Sequence, residues 1–123
     1  MPTAAAIALA GALGALARWG LDEWIERRGG LFPWGIFAVN VSGAFRIGFL
    51  VTWMEPRFEQ TTWLRSGVLV GFLGAYTTFS TLSLDSYRLL DAGHVGTALA
   101  NTLGSLTAGL LAVWAGLRLA ELL

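Results

Sequence analysis

The chain has 123 residues, of which 55% are hydrophobic and 13% are charged, and its formal net charge is zero. Soluble domains carry about 25% charged residues, so this composition indicates a polytopic membrane protein. The absence of cysteine excludes disulfides and thiolate metal sites. With no basic run, nothing points to nucleic acid as a partner.

Four apolar stretches are long enough to be transmembrane helices, because a helix needs about 20 apolar residues to cross the hydrocarbon layer. They are predicted at about residues 3–21, 32–54, 63–90 and 95–119. The first stretch ends in Arg18-Trp19 and not in a small-residue cleavage site, so no cleavable signal peptide is expected. The links between the stretches, the first of them running from Asp22 to Gly30, are short and polar. Residues 1–123 are therefore predicted to form a single all-α membrane domain.

The arginines do not indicate how the protein is oriented in the bilayer. The chain has eight Arg and no Lys. One side of the membrane would hold Arg57, Arg65 and Arg118, and the other Arg27, Arg28 and Arg88, plus Arg18 if it reaches the interface, which leaves no usable positive-inside bias. Two explanations stay open: chance in a small protein, or dual topology with antiparallel pairing of oppositely inserted copies. Four short helices can hardly enclose a hydrophilic route, so a homodimer is expected in either case.

The third apolar stretch is interrupted near its middle by Gly74 and a run of hydroxyl residues. The hydroxyls are Thr77, Thr78, Ser80, Thr81 and Ser83. At bilayer depth such groups are costly unless they line something polar, so the cluster predicts a broken third helix. A break frees backbone carbonyls that can coordinate a cation and exposes amide hydrogens that suit an anion.

Other polar residues within the spans leave two interpretations open. Asn40 is either a hydrogen-bonding link between helices or a donor to an anion in transit. Phe79 is either a packing residue or a ring whose positive edge faces an anion. Asn101 and Ser105 share one face of the fourth helix with Gly109. This polar stripe is either a link between helices or a track of hydrogen-bonding groups.

Arg18 and Arg46 are the two arginines that we interpret as charges in an apolar context. Arg18 either extends its side chain to the interface or concentrates anions at a vestibule. Arg46 lies well inside the second span, where an isolated charge costs at least ~2.5 kcal/mol. Its guanidinium either extends to the interface or faces a wet cavity, and the sequence does not decide between the two.

These residues together resemble the Fluc/CrcB family of fluoride channels over essentially the whole chain. The first two spans contribute the segment from Gly11 to Arg18-Trp19 and the segment Gly35-Ile36-Phe37-Ala38-Val39-Asn40-Val41-Ser42-Gly43-Ala44-Phe45. The third span contributes Arg65-Ser66-Gly67 and the highly specific string Gly71-Phe72-Leu73-Gly74-Ala75-Tyr76-Thr77-Thr78-Phe79-Ser80-Thr81.

The resemblance implies an antiparallel, dual-topology homodimer in the cell inner membrane, with two fluoride pores and a central structural sodium ion. It assigns the sodium to the backbone carbonyls of Gly74 and Thr77. The pore residues it implies are Asn40, Phe79, Thr81, Ser83 and Ser105. It places Arg18 and Asp85 at a vestibule, with Asp85 where the family usually has glutamate.

Several positions depart from the family pattern. Leu82 stands in place of a second pore phenylalanine, Asn101 in place of a tyrosine, Gly109 in place of a hydroxyl residue, and Arg46 in place of an apolar residue. These departures bear on the ion route and not on the expected fold.

Passive export of fluoride is the function that this pattern favours, and no enzyme activity is expected, because the spans hold no catalytic constellation. Two other functions are considered. A small multidrug transporter needs an acid within the first span, and residues 3–21 contain none. A non-transporting scaffold would use the hydroxyl cluster only for helix packing.

Overall fold

The computed structural model describes all 123 residues, and every regular element in it is a helix. In chain order the elements are α1 (Thr3–Glu26), α2 (Trp34–Met54), α3 (Thr62–Ser66), a π-helical segment (Gly67–Leu73), α4 (Gly74–Tyr76), α5 (Phe79–Asp91) and α6 (Val95–Glu121). Four segments are long and apolar enough to cross a membrane: Thr3–Glu26, Trp34–Met54, Thr62–Asp91 and Val95–Glu121. The prediction of an all-helical protein with four membrane-spanning helices is confirmed.

The third spanning segment changes its backbone conformation halfway along. α4 ends at Tyr76, and α5 begins at Phe79. Between them Thr77 (φ −83°, ψ 154°) and Thr78 (φ −148°, ψ 119°) are extended. The hydroxyl cluster therefore lies at the point where the helical hydrogen bonds are interrupted.

α1 is longer than the apolar stretch that predicted it. The first link was predicted to begin at Asp22, and this is wrong, because α1 continues to Glu26. The helix ends in a turn in which Gly29 and Gly30 have φ values of 72° and 107°. A helix can continue beyond the hydrocarbon layer into the polar region at the membrane surface, so the end of the apolar stretch does not end the helix.

Glycines bring the helix backbones into direct contact. α2 packs along α6, and a Cβ atom on Gly116 would overlap the carbonyl oxygen of Phe45. α1 packs along the π-helical segment, and a Cβ atom on Gly14 would overlap the carbonyl of Phe72. Close approach of this kind is typical of membrane helices, where small residues maximise van der Waals contact.

The outer faces of the bundle are apolar and uncovered. Only 20 of the 123 residues are buried. Exposed leucines follow the outer faces of α1 and α6: Leu9, Leu13, Leu16, Leu99, Leu103, Leu106 and Leu110. Such faces suit lipid or a second copy of the chain.

The glycine contact between α2 and α6 predicts a stability difference between two substitutions on one helix. Gly116→Ala has to push α6 away from Phe45, so it should destabilise the protein by about 1–3 kcal/mol. Gly104→Ala is the control, because a Cβ there meets nothing within 4 Å. Thermal unfolding in detergent, followed by tryptophan fluorescence, should show a lower midpoint for Gly116→Ala only. Equal midpoints for the two variants would contradict this packing.

Candidate functional site

The extended residues of the third span open into a groove of about 560 Å³ between α2, α5 and α6, which we name the central groove. Its polar lining consists of Asn40, Thr77, Thr78, Ser83, Thr102 and Ser105. Its other lining residues include Phe79, Leu82 and Gly109. The fold thus brings Asn40, Phe79, Ser83 and Ser105 together, but not Thr81.

Asn40 binds the backbone at the interruption. Its Nδ2 donates to the carbonyl of Thr78 at 3.1 Å, and its Oδ1 accepts from the N–H of Thr78 at 2.8 Å. The side-chain amide thus satisfies both backbone groups of a residue that has left the helix. Because a carboxamide carries two N–H donors, one hydrogen of Asn40 is left over at the edge of the groove.

Thr78 also holds the first turn of α5. Its Oγ1 accepts from the N–H of Thr81 at 3.3 Å, which makes it the N-cap of the helix. The same oxygen lies 3.2 Å from Thr81 Oγ1 and 3.3 Å from Ser80 Oγ. Three hydroxyls therefore form one hydrogen-bonded group at the start of α5.

Two carbonyls beside the interruption lack the hydrogen bonds of a continuous helix. In an α-helix the N–H of Thr78 would donate to Gly74, but here it donates to Asn40. The carbonyl of Thr77 accepts no hydrogen bond within the chain. Gly74 and Thr77 line a second groove of about 300 Å³. Gly74 is exposed, and a Cβ atom on it would meet only Leu69, at 3.9 Å.

A vestibule of about 450 Å³ lies at one end of the bundle. Its charged lining residues are Asp22, Glu26, Asp85 and Arg88, and His94 also lines it. Thr81 also lines it, so the hydroxyls of Thr78 and Thr81 connect the central groove with the vestibule. Arg18 is not part of the lining; it lies one helical turn before Asp22 on α1.

Carboxylates also fix the start of α2 at the vestibule. Glu26 Oε1 accepts from the N–H of Gly35 at 2.9 Å, and Asp22 packs directly over Gly35. A negative charge at a helix N-terminus is favourable. These two residues were predicted only as part of a link, because the apolar pattern ends before them.

Phe79 occupies the open side of the central groove. Its side chain is 82% exposed, so a single copy of the chain does not cover it. Ser83, one turn further along α5, donates its hydroxyl hydrogen to the carbonyl of Phe79 at 2.9 Å. Leu82 lies beside them in the groove wall.

The polar stripe on α6 divides into two parts. Asn101 is 0% exposed, and its Nδ2 donates to Ser86 Oγ at 2.9 Å, so it links α6 to α5 and does not line the groove. Ser105 lines the groove, and so does Thr102, which the sequence reasoning did not single out. Thr102, Ser105 and Gly109 follow an i, i+3, i+7 pattern, and this spacing could have identified Thr102.

Arg46 has a partner in the third span. Its guanidinium carbon lies 5.2 Å from the ring centroid of Tyr76, within the range of a cation–π contact. Tyr76 is 2% exposed, and its hydroxyl lies 2.9 Å from Ser42 Oγ. Arg46 and Ser42 thus hold the last residue of α4, immediately before the interruption.

Comparison with known proteins identifies the family. Residues 5–117 match the family described as CrcB-like protein, Camphor Resistance (CrcB). The chain belongs to the CrcB family. The resemblance on which the sequence interpretation rested is therefore confirmed.

Several relatives of this CrcB chain are named for their function. It is 46% identical over 112 residues to the fluoride-specific ion channel FluC of Acidobacterium capsulatum, covering 90% of each chain. It is 43% identical over 124 residues to the protein of that name from Geotalea uraniireducens, covering 100% of each. With the one from Methylococcus capsulatus it shares 49% identity over 120 residues, which is 94% of this chain and 51% of that longer protein. The relatives are named as ion channels, which confirms that an enzyme was not to be expected.

The N-cap of α5 yields a prediction for this CrcB chain. Thr78→Val keeps the shape of the side chain but removes the acceptor for Thr81 N–H, which should cost about 1 kcal/mol of stability. Thr78→Ser keeps the acceptor and is the matched control. Hydrogen exchange of the first-turn amides of α5 should accelerate in the valine variant and stay near the wild-type rate in the serine variant. Equal exchange in both variants would remove the capping role.

Proposed function

We propose that this CrcB family member is a fluoride-selective ion channel that exports fluoride passively across the cell inner (plasma) membrane and so confers fluoride resistance. One observation carries the proposal: the central groove places amide and hydroxyl donors halfway along the spans and contains no charged side chain. Full-length relatives named as fluoride-specific ion channels support the choice of ion.

Fluoride is small and strongly hydrated, so loss of its water is the main barrier to conduction. Hydroxyl and amide donors can replace that water without the tight binding of a fixed positive charge. Two donors in the groove have hydrogens that no bond within the chain engages: the second N–H of Asn40 and the hydroxyl of Ser105. Edges of the Phe79 ring would add weak stabilisation that does not trap the ion.

The hydroxyls of Thr78 and Thr81 extend this route towards the vestibule. They lie 3.2 Å apart, one in the groove and one in the vestibule wall. The vestibule carboxylates repel an anion, but salt screens exposed charges beyond about 8–10 Å. Arg18 on the neighbouring turn of α1 offsets part of that repulsion.

The groove needs a second copy to become a pore. Phe79 is 82% exposed on its open side, and a pore open to lipid would not hold an ion. An antiparallel, dual-topology homodimer in the bilayer would close both grooves and give two pores. The lack of arginine bias between the two sides of the membrane supports this arrangement.

A structural sodium ion fits the backbone at the interruption. The carbonyl of Thr77 has no donor, and that of Gly74 has lost its usual one to Asn40. An unsatisfied carbonyl costs several kcal/mol in a membrane, so the carbonyls of Gly74 and Thr77 each need a partner outside the chain. Carbonyl oxygens are the ligands that sodium prefers, and Gly74 offers no side chain that would keep a second copy away. A bound sodium would supply the charge that holds these carbonyls in place.

The other functions considered fit less well. A multidrug transporter would need an acid near the middle of the first span, whereas the acids of α1, which are Asp22, Glu23 and Glu26, all lie in its last five residues. A scaffold does not account for an uncharged polar groove within the spans.

Fluoride efflux from liposomes, measured with a fluoride electrode, distinguishes the channel from the multidrug transporter and the scaffold, because only the channel releases fluoride passively. Liposomes with wild-type protein that retain fluoride as empty ones do would overturn the proposal.

Asn40 is the residue whose substitution tests the groove most sharply. Asn40→Ala and Asn40→Ser remove the carboxamide that pairs with Thr78 and offers a hydrogen to the groove. Fluoride efflux should fall to the rate of empty liposomes, while elution as a dimer is unchanged. Thr52→Val on the same helix is the control, since Thr52 donates to Gly48 outside the groove. Retained efflux in both Asn40 variants would remove Asn40 from this role.

Dual topology can be measured directly, because the chain has no cysteine. Single cysteines at Glu59 and at His94, in links on opposite sides of the membrane, report on orientation. If copies insert both ways, an impermeant maleimide added to intact cells should label about half of each variant. Full labelling of one variant and none of the other would show a single orientation.

A further inference from the structure

Two buried polar atoms of α6 have no hydrogen-bond partner: Asn101 Oδ1 and Ser105 Oγ. Their side chains are 0% and 7% exposed. The two residues are four apart and therefore lie on neighbouring turns of one helix face. Native proteins rarely leave such atoms unpaired, and an ordered water is the usual partner.

The orientation of the Asn101 amide is fixed by Ser86. The hydroxyl hydrogen of Ser86 is donated to the carbonyl of Leu82 at 2.8 Å, so Ser86 Oγ can only accept from Asn101. Asn101 therefore presents Nδ2 to Ser86, at 2.9 Å. Its Oδ1 is left as a buried acceptor with no donor.

The hydroxyl of Ser105 is likewise uncommitted. Three other hydroxyls of α5 and α6 donate to the carbonyl four residues earlier: Ser83 at 2.9 Å, Ser86 at 2.8 Å and Thr102 at 3.1 Å. Ser105 makes no such bond. It lines the central groove, so its hydrogen can be given to a ligand there.

We propose that one water molecule binds between Asn101 Oδ1 and Ser105 Oγ and donates one hydrogen to each. The groove beside Ser105 gives water a path to this site, and two polar partners are the least that a buried water needs. Ser105 then accepts from the water and has only its own hydrogen to give, towards the groove. Asn101 is thus a positioning residue that directs the Ser105 hydroxyl at the ion; this last step rests on the proposed function.

A double-mutant cycle tests the positioning role. Asn101→Leu and Ser105→Ala should each lower fluoride efflux by about fivefold, the value of one hydrogen bond of ordinary strength. The double variant should conduct like Ser105→Ala alone, because Asn101 acts only through Ser105. Ser86→Ala removes the bond that fixes the Asn101 amide, so it should also lower efflux, but by no more than Asn101→Leu does.

Three results would overturn the proposal. If the fold-losses of fluoride efflux in the two single variants multiply in the double variant, Asn101 acts independently of Ser105. A larger loss in Ser86→Ala than in Asn101→Leu would mean that the Asn101–Ser86 bond matters as a link between helices and not through Ser105. Faster efflux in Asn101→Leu would mean that Ser105 donates to Asn101 and not to the groove.

A second measurement does not depend on conduction or on the folding of variants. An experimental structure of the wild-type protein at a resolution that shows ordered water should contain a water within hydrogen-bond distance of both Asn101 Oδ1 and Ser105 Oγ. A dry site, or a protein donor on Asn101 Oδ1, would overturn the proposal. If this water is present while wild-type liposomes retain fluoride, the proposed function fails and the water site stands.

Discussion

The pairing of the Asn40 carboxamide with the backbone of Thr78 is the constraint on which the rest of the site depends. A residue that leaves a helix inside a membrane has to find partners for its N–H and its carbonyl, because lipid offers none. Asn40 supplies both, through bonds of 2.8 Å and 3.1 Å. One side chain on α2 thereby makes an extended conformation tolerable at the middle of the third span.

The neighbouring features follow from that pairing. Because Thr78 N–H is directed to Asn40, Gly74 loses its helical donor. Because Thr81 N–H donates to Thr78 Oγ1, the Thr77 carbonyl is left without its helical donor as well. Because Thr78 is extended, its hydroxyl is placed to cap α5 and to meet Thr81. Tyr76, held by Arg46 and Ser42, fixes the other side of the interruption. The two carbonyls without helical donors, the hydroxyl group at the groove and the start of α5 are thus consequences of one local geometry.

The number of spans and the position of the hydroxyl cluster could be predicted from the sequence, but the contacts between helices could not. Apolar length was enough for four spans, and the density of hydroxyls drew attention to the segment in which Thr77 and Thr78 are extended. Pairings between distant residues were out of reach: Asn40 with Thr78, Asn101 with Ser86, and Arg46 with Tyr76 depend on which helix faces meet. The end of α1 was missed because hydropathy marks the membrane boundary and not the end of a helix. For Asn40 the sequence left two roles open; the structure shows the link between segments and leaves the second N–H of the amide without a partner in the chain.

The most direct test of this account is solid-state NMR of the protein in lipid bilayers, reading the ¹³Cα and ¹³Cβ chemical shifts of Thr77 and Thr78. The account predicts extended-chain shifts for both residues in the wild type, and movement of the Thr78 shifts in Asn40→Val, where its backbone partner is lost. Helical shifts for both residues in the wild type, or shifts that Asn40→Val leaves unaltered, would contradict it.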